Sequence, residues 1–151
     1  MELNPFELVK SKCFDIDVID KEYNDVIVSY DYLVKSITSI VDWEVVLRCG
    51  DYCGDIFYFG KDNKDNFYYL SIGYGSCDCC DVLYSCNTDI EVYELRESLK
   101  RRIRKFSNLL DFEDWFNEFS YFDYYDEFEI EKFITFMNDK YNLKLIFREN
   151  I

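Results

Sequence analysis

Five cysteines and four aspartates crowd two short runs in the middle of the chain, Cys49-Gly50-Asp51-Tyr52-Cys53-Gly54-Asp55 and Gly73-Tyr74-Gly75-Ser76-Cys77-Asp78-Cys79-Cys80-Asp81. Thiolates are zinc ligands. Cys49 and Cys53 form a C-x3-C pair, Cys77 and Cys80 a C-x2-C pair, and the 23 residues between the pairs are slightly more than four-thiolate sites usually have. Two other readings stand beside zinc. The thiols could do redox chemistry, or the cysteines could pack as small hydrophobes while Gly and Asp make tight turns. Asp51, Asp55, Asp78 and Asp81 offer carboxylates for acid/base or metal-assisted hydrolysis if the two runs meet, although Asp in a Gly-rich turn is more often a turn former.

The second constellation is acidic. Residues 111 to 131 hold nine carboxylates, nine aromatic residues and no Lys or Arg. On helices, aromatics such as Phe112, Trp115 and Phe116 would anchor one side while the acids project from the other. The residues expected to form a partner-binding surface are Asp111, Glu113, Asp114, Glu118, Asp123, Tyr124, Tyr125, Asp126, Glu127 and Glu129. A stiff acidic row can enter a cationic groove that otherwise holds phosphates, with the counterion release that nucleic acid would gain. A plain solvated helix face is the alternative. The basic run Arg96, Lys100, Arg101, Arg102, Arg104 and Lys105 is expected to pair with Glu94, Glu97 or the acidic stretch rather than to contact nucleic acid.

Several chemistries are missing from the sequence. There is no His, hence no Ser-His-Asp or Cys-His machinery, and there is neither a P-loop nor a dinucleotide fingerprint. The motifs Asp51-Tyr52-x-Gly54-Asp55 and Gly73-Tyr74-Gly75-Ser76-Cys77-x-x-Cys80-Asp81, followed by a capped helix and an acidic aromatic part, resemble a family of small uncharacterised bacterial and phage proteins, over about residues 43 to 137. That resemblance implies that Cys77, Cys80 and the two aspartate turns belong together. It also implies a non-cysteine at the place of Cys53, which favours a site made from Cys77 and Cys80 alone.

The elements that must position these groups can be read from periodicity. Asn4-Pro5 starts a helix to about Lys12. Val26 to Val28 favour a strand, yet Tyr32, Leu33, Ile37, Ile40 and Val41 keep helical spacing, so a helix is expected over roughly Tyr30 to Val41; Trp43 to Leu47 is a strand or that helix's tail. Asp55 to Phe59 and Phe67 to Ile72 flank a polar tract of turn composition and predict a β-hairpin, which brings the two cysteine runs to one end of a strand pair. Gly73 to Cys86 lacks periodicity and is expected to be a structured loop. Thr88 and Glu91 fit a capping box, followed by Val92, Leu95, Leu99, Ile103 and Phe106 at spacings of three and four. Helices over Asp111 to Phe119 and Asp126 to Tyr141 and a strand over Leu143 to Phe147 complete the prediction.

A formal charge of −14 on 151 residues repels nucleic acid and anionic membranes and attracts basic proteins. With 49% hydrophobic and 20% aromatic residues the chain has enough apolar surface to fold as one domain, expected to be α+β: a central antiparallel hairpin with one or two extra strands, covered by helices. The acidic first residues lack the order of a secretory signal, and no apolar run is long enough to span a bilayer, so a cytoplasmic protein is expected. The function expected is a non-enzymatic one. The acidic surface would engage and block a basic, nucleic-acid-binding partner such as a defence protein, as a nucleic-acid mimic. A metal- or thiol-dependent site at Cys77, Cys80, Asp51 and Asp55, with zinc as the metal, is the rival.

Overall fold

A computed structural model describes residues 25–49, 54–75, 81–83, 85–119 and 127–147. The expected N-terminal helix lies outside them. In chain order the elements are α1 (Asp25–Ile37), β1 (Asp42–Cys49), β2 (Gly54–Lys61), β3 (Phe67–Tyr74), α2 (Asp89–Arg102), β4 (Arg104–Phe106), α3 (Leu109–Phe119) and α4 (Glu127–Tyr141). The four strands form one antiparallel sheet in the order β1-β2-β3-β4. The fold is α+β, with the central hairpin flanked by two further strands.

Helices cover both faces of this sheet, and the alternation of the strands sorts their side chains between two cores. Ile56 and Tyr58 of β2 and Leu70, Ile72 and Tyr74 of β3 join Tyr30, Leu33 and Val34 of α1 and Val92 and Leu99 of α2. Phe57 and Phe59 point the other way and join Tyr69, Phe106, Phe112 and Phe116 of α3, and Ile130, Phe133, Ile134 and Met137 of α4. Phe57 stacks on Phe133 with ring centroids 4.6 Å apart, and Phe59 meets Phe112 at 4.8 Å. This is why Ile56 to Gly60 are all buried and why β2 reads in the sequence as an unbroken apolar run.

The β1–β2 register slips between Trp43 and Val45, leaving Glu44 as the extra residue of a β-bulge. The bulge aims Glu44 at the end of α4. Its carboxylate accepts from the Tyr141 hydroxyl at 2.5 Å and lies 3.4 Å from Lys61 Nζ, and its carbonyl accepts from Lys140 Nζ at 3.2 Å. Burial works against the charge on Glu44, but the Tyr141 hydroxyl and Lys61 outweigh it and hold the carboxyl below its ordinary value. Burial, and then the bond to Glu44, push the Tyr141 hydroxyl up. On the opposite face Tyr58 donates to Asp31 of α1 at 2.5 Å, tying helix to sheet through two largely covered polar groups.

The hairpin turn is organised by Asp62. Its carboxylate accepts from the amides of Lys64 (2.9 Å) and Asn66 (3.0 Å), from Asn66 Nδ2 (3.0 Å) and from the Tyr68 hydroxyl (2.9 Å), while Asp65 takes the left-handed conformation with φ 61°. The Asn66 side chain and the other donors hold the Asp62 carboxyl far below the usual range. A depressed folded-state value stabilises the fold above the unfolded carboxylate range of about 4, and that contribution fades as pH falls toward the folded value. Melting temperature is therefore expected to drop between about pH 5 and pH 2.5, and Asp62→Asn should melt lower at neutral pH with a shallower acid slope. An unchanged slope in Asp62→Asn would mean that other carboxylates set the acid limit.

Several elements differ from the sequence expectation. α1 begins at Asp25, so the β-branched run Val26 to Val28 is helical and not a strand, and the helix stops at Ile37 rather than Val41. α2 is capped as expected, with Thr88 Oγ1 accepting from the Glu91 amide at 3.2 Å, but it ends at Arg102. Ile103 turns extended and donates its amide to the Lys100 carbonyl at 3.3 Å, and Phe106 sits on β4 beside Phe67. Leu143 to Phe147 is not a strand. Asn142, at φ 56°, ends α4, and side chains then hold the following amides: Glu113 accepts from Lys144 (2.7 Å), Asn138 from Leu145 (2.8 Å) and Asn117 from Ile146 (2.9 Å).

Candidate functional site

The hairpin ends do meet. Gly54 pairs with Tyr74, Asp55 with Gly73, and Cys49 of β1 with Asp55, so the backbones of Cys49, Asp55 and Gly73 lie in a row across three strands. Asp51, Cys53, Cys77, Asp78, Cys79 and Cys80 lie outside the described residues, as does the side chain of Cys49. Among the described residues no three of His, Cys, Asp and Glu are grouped to hold a metal ion.

Asp81 has a structural task. It is 5% exposed, and its carboxylate accepts from the Tyr30 hydroxyl (3.1 Å), the Leu83 amide (2.8 Å) and the Gly75 amide (2.8 Å). One side chain thereby joins α1, the end of β3 and the chain leading to α2. Burial, and then the neighbouring Asp81 charge and hydrogen bond, push the Tyr30 hydroxyl far above its ordinary value. Cys86 is equally inert: it is buried, its thiol donates to the Val82 carbonyl at 3.3 Å, and burial followed by Glu91 and Asp81 pushes it up to about 11.

The acidic stretch divides by helix geometry. Asn108 caps α3 by accepting from the Asp111 amide at 2.8 Å, so the helix starts two residues before the expected Asp111. Phe112 and Phe116 are fully buried and Trp115 packs half-buried against Phe106 and Tyr69, which fixes the helix on its aromatic side. Leu110, Asp111, Asp114 and Glu118 occupy the opposite side and are exposed. Glu113 instead serves the Lys144 amide. Asp123, Tyr124, Tyr125 and Asp126 lie outside the described residues; Glu127 and Glu129 belong to the first turn of α4, with side chains outside them.

The basic run meets its expectation at Arg96 and departs from it further along. Arg96 pairs with Glu97 at 3.1 Å and also donates to the Ser36 carbonyl at 2.8 Å. Among the described residues, Arg101, Arg102, Arg104 and Lys105 have no carboxylate within 4.0 Å. They line a cavity of about 630 Å³ at the edge of the sheet, together with Ser71, Tyr69, Phe106 and Trp115. Arg102 Nη2 donates to the Ser71 carbonyl at 2.6 Å, and the Arg104 guanidinium lies 4.7 Å from the Trp115 ring centroid. The helix dipole accounts for cations in the last turn of α2, and a short charged edge strand discourages pairing with other chains. Neither requires the cations to converge on one concavity. Sequence reasoning missed this arrangement because it treated the run as one helix, whereas the helix ends at Arg102 and the chain continues as the edge strand β4, where Arg104 and Lys105 border the same cavity as Arg101 and Arg102.

No helix among the described residues is long and apolar enough to cross a membrane. No family model matches the chain, and no curated protein or solved structure matches it either.

Proposed function

We propose that the protein is a non-enzymatic binding protein whose acidic α3 face engages a basic partner, specifically one whose groove normally holds nucleic acid, and blocks it. The observation that carries this reading is the exposed row Asp111, Asp114 and Glu118 on a helix immobilised by Phe112 and Phe116. At a rise of about 1.5 Å per residue these carboxylates repeat every 4.5 to 6 Å along the axis, close enough to meet a run of cations that would otherwise meet phosphates. Exposed Leu110 and Phe119 at the two ends of the helix add apolar contact. Of the aspartates that the sequence offered for acid/base or metal chemistry, Asp81 is engaged as a clamp by Tyr30, Gly75 and Leu83.

Calorimetric titration against a panel of basic nucleic-acid-binding proteins is expected to give a complex whose affinity falls steeply between roughly 50 and 300 mM salt. The double variant Asp111→Asn/Asp114→Asn removes two exposed charges at a cost below about 1 kcal/mol to the helix. It should bind roughly tenfold more weakly while melting normally. Affinity indifferent to salt, or equal in wild type and variant, would overturn the reading.

A further inference from the structure

We propose that the cavity at the junction of α2 and β4 is a binding site for a small polyanion of phosphate chemistry, from pyrophosphate to a nucleoside triphosphate in size. The inference stands independently of the acidic face. Arg101, Arg102, Arg104 and Lys105 line one concavity of about 630 Å³, within the size range of small-ligand sites. The chain carries 31 Asp+Glu against 17 Lys+Arg, so neutralising four cations was easily within its composition, yet among the described residues none of the four has a carboxylate within 4.0 Å. Four like charges lie within five residues of chain, and an anion bound in the concavity they border relieves the repulsion among those nearest it.

Two of the cations are already held in place. Arg102 is fixed by the Ser71 carbonyl and Arg104 by the face of Trp115, so binding need not order either side chain from scratch. Guanidinium groups present planar pairs of donors that match phosphate oxygens, and Lys105 adds a point charge. The C-terminal end of α2 opposes an anion with about half a negative charge, which four full positive charges outweigh. The overall charge of −14 acts at longer range and is screened beyond about 10 Å at 0.1 M salt. That same overall charge rejects a long nucleic acid, whose backbone would have to run past the acidic surface on either side of one basic cavity. A small ligand therefore fits better than a polymer.

The test is a titration of the full chain with sodium pyrophosphate, with ATP and with a single-stranded oligonucleotide, read by calorimetry and by the fluorescence of Trp115 in a Trp43→Phe background. Saturable binding of pyrophosphate or ATP with one ligand per chain, a change in Trp115 emission and a melting temperature that rises with ligand are expected. Equal affinity for the two would make phosphate alone the recognised group; tighter ATP binding would make the ligand a nucleotide. Arg101→Gln/Lys105→Gln removes two exposed cations that have no carboxylate within 4.0 Å among the described residues, so it should melt normally without ligand and bind at least tenfold more weakly. Arg104→Gln should in addition change the Trp115 emission of the free protein. Absence of saturable binding by both small ligands, affinity unchanged in Arg101→Gln/Lys105→Gln, or binding of the oligonucleotide alone would each overturn the proposal.

Discussion

Asp81→Ala is expected to lower the unfolding free energy by about 4 kcal/mol, measured as a shift in the urea midpoint with little change in slope. The carboxylate is the common acceptor for the Gly75 amide, the Leu83 amide and the Tyr30 hydroxyl. Its removal leaves three covered donors, each costing about 1 to 3 kcal/mol when it loses its acceptor, less what entering water recovers. Asp81→Asn separates this role from a chemical one. An amide retains one oxygen for Leu83 and Tyr30 but turns its NH2 toward the Gly75 amide, donor against donor, so about half the loss should remain. A substitution that left stability intact while abolishing a biochemical activity would show that the clamp is incidental.

The second large effect is expected at Gly60. A Cβ built there falls 2.3 Å from the Asp42 carbonyl oxygen and 2.9 Å from both the Asp42 carbonyl carbon and Trp43 Cα. All three atoms are backbone, so relief requires β1 to move away from β2 at the point where the register slips. Gly60→Ala should therefore cost about 3 kcal/mol or more, at the upper end of what overpacking does in a rigid interior. Because the same bulge carries Glu44 to Tyr141 and Lys140, the variant should also loosen the end of α4. Intrinsic fluorescence of Trp43, which sits beside Tyr58 at a centroid distance of 5.8 Å, would report the displacement. Wild-type stability in Gly60→Ala would mean that β1 accommodates a methyl group without losing its pairing.

Much of the architecture was legible because local and tertiary signals agreed. The hairpin, the Thr88 cap and the helices ending at Phe119 and Tyr141 fall where composition and spacing place them. The disagreements occur where one pattern fits two structures. Leu99, Ile103 and Phe106 continue a helical spacing, yet Leu99 is in the α1–α2 core and Phe106 in the opposite one, because the chain crosses the sheet edge without a Gly or Pro to announce it. Leu143 to Phe147 has apolar residues enough for a strand but finds its hydrogen bonds on Glu113, Asn117 and Asn138, a choice that only the packing of α3 beside α4 makes available. The acidic row could be read as far as its helix phase, whereas the convergence of cations depends on the helix ending at Arg102, which periodicity does not encode.

Strand β2 forms the inner wall of both cores, with Ile56 and Tyr58 on one side and Phe57 and Phe59 on the other. Its amides are bonded to β1 and β3 and roofed twice, so peeling away either helical layer still leaves them shielded by the remaining one. Exchange with heavy water at these positions should demand the full global opening, whereas the ends of α3 and α4 breathe by smaller excursions. The middle of the molecule is thus its slowest clock, and whatever the surface binds, it binds to a body whose two sides share a single spine.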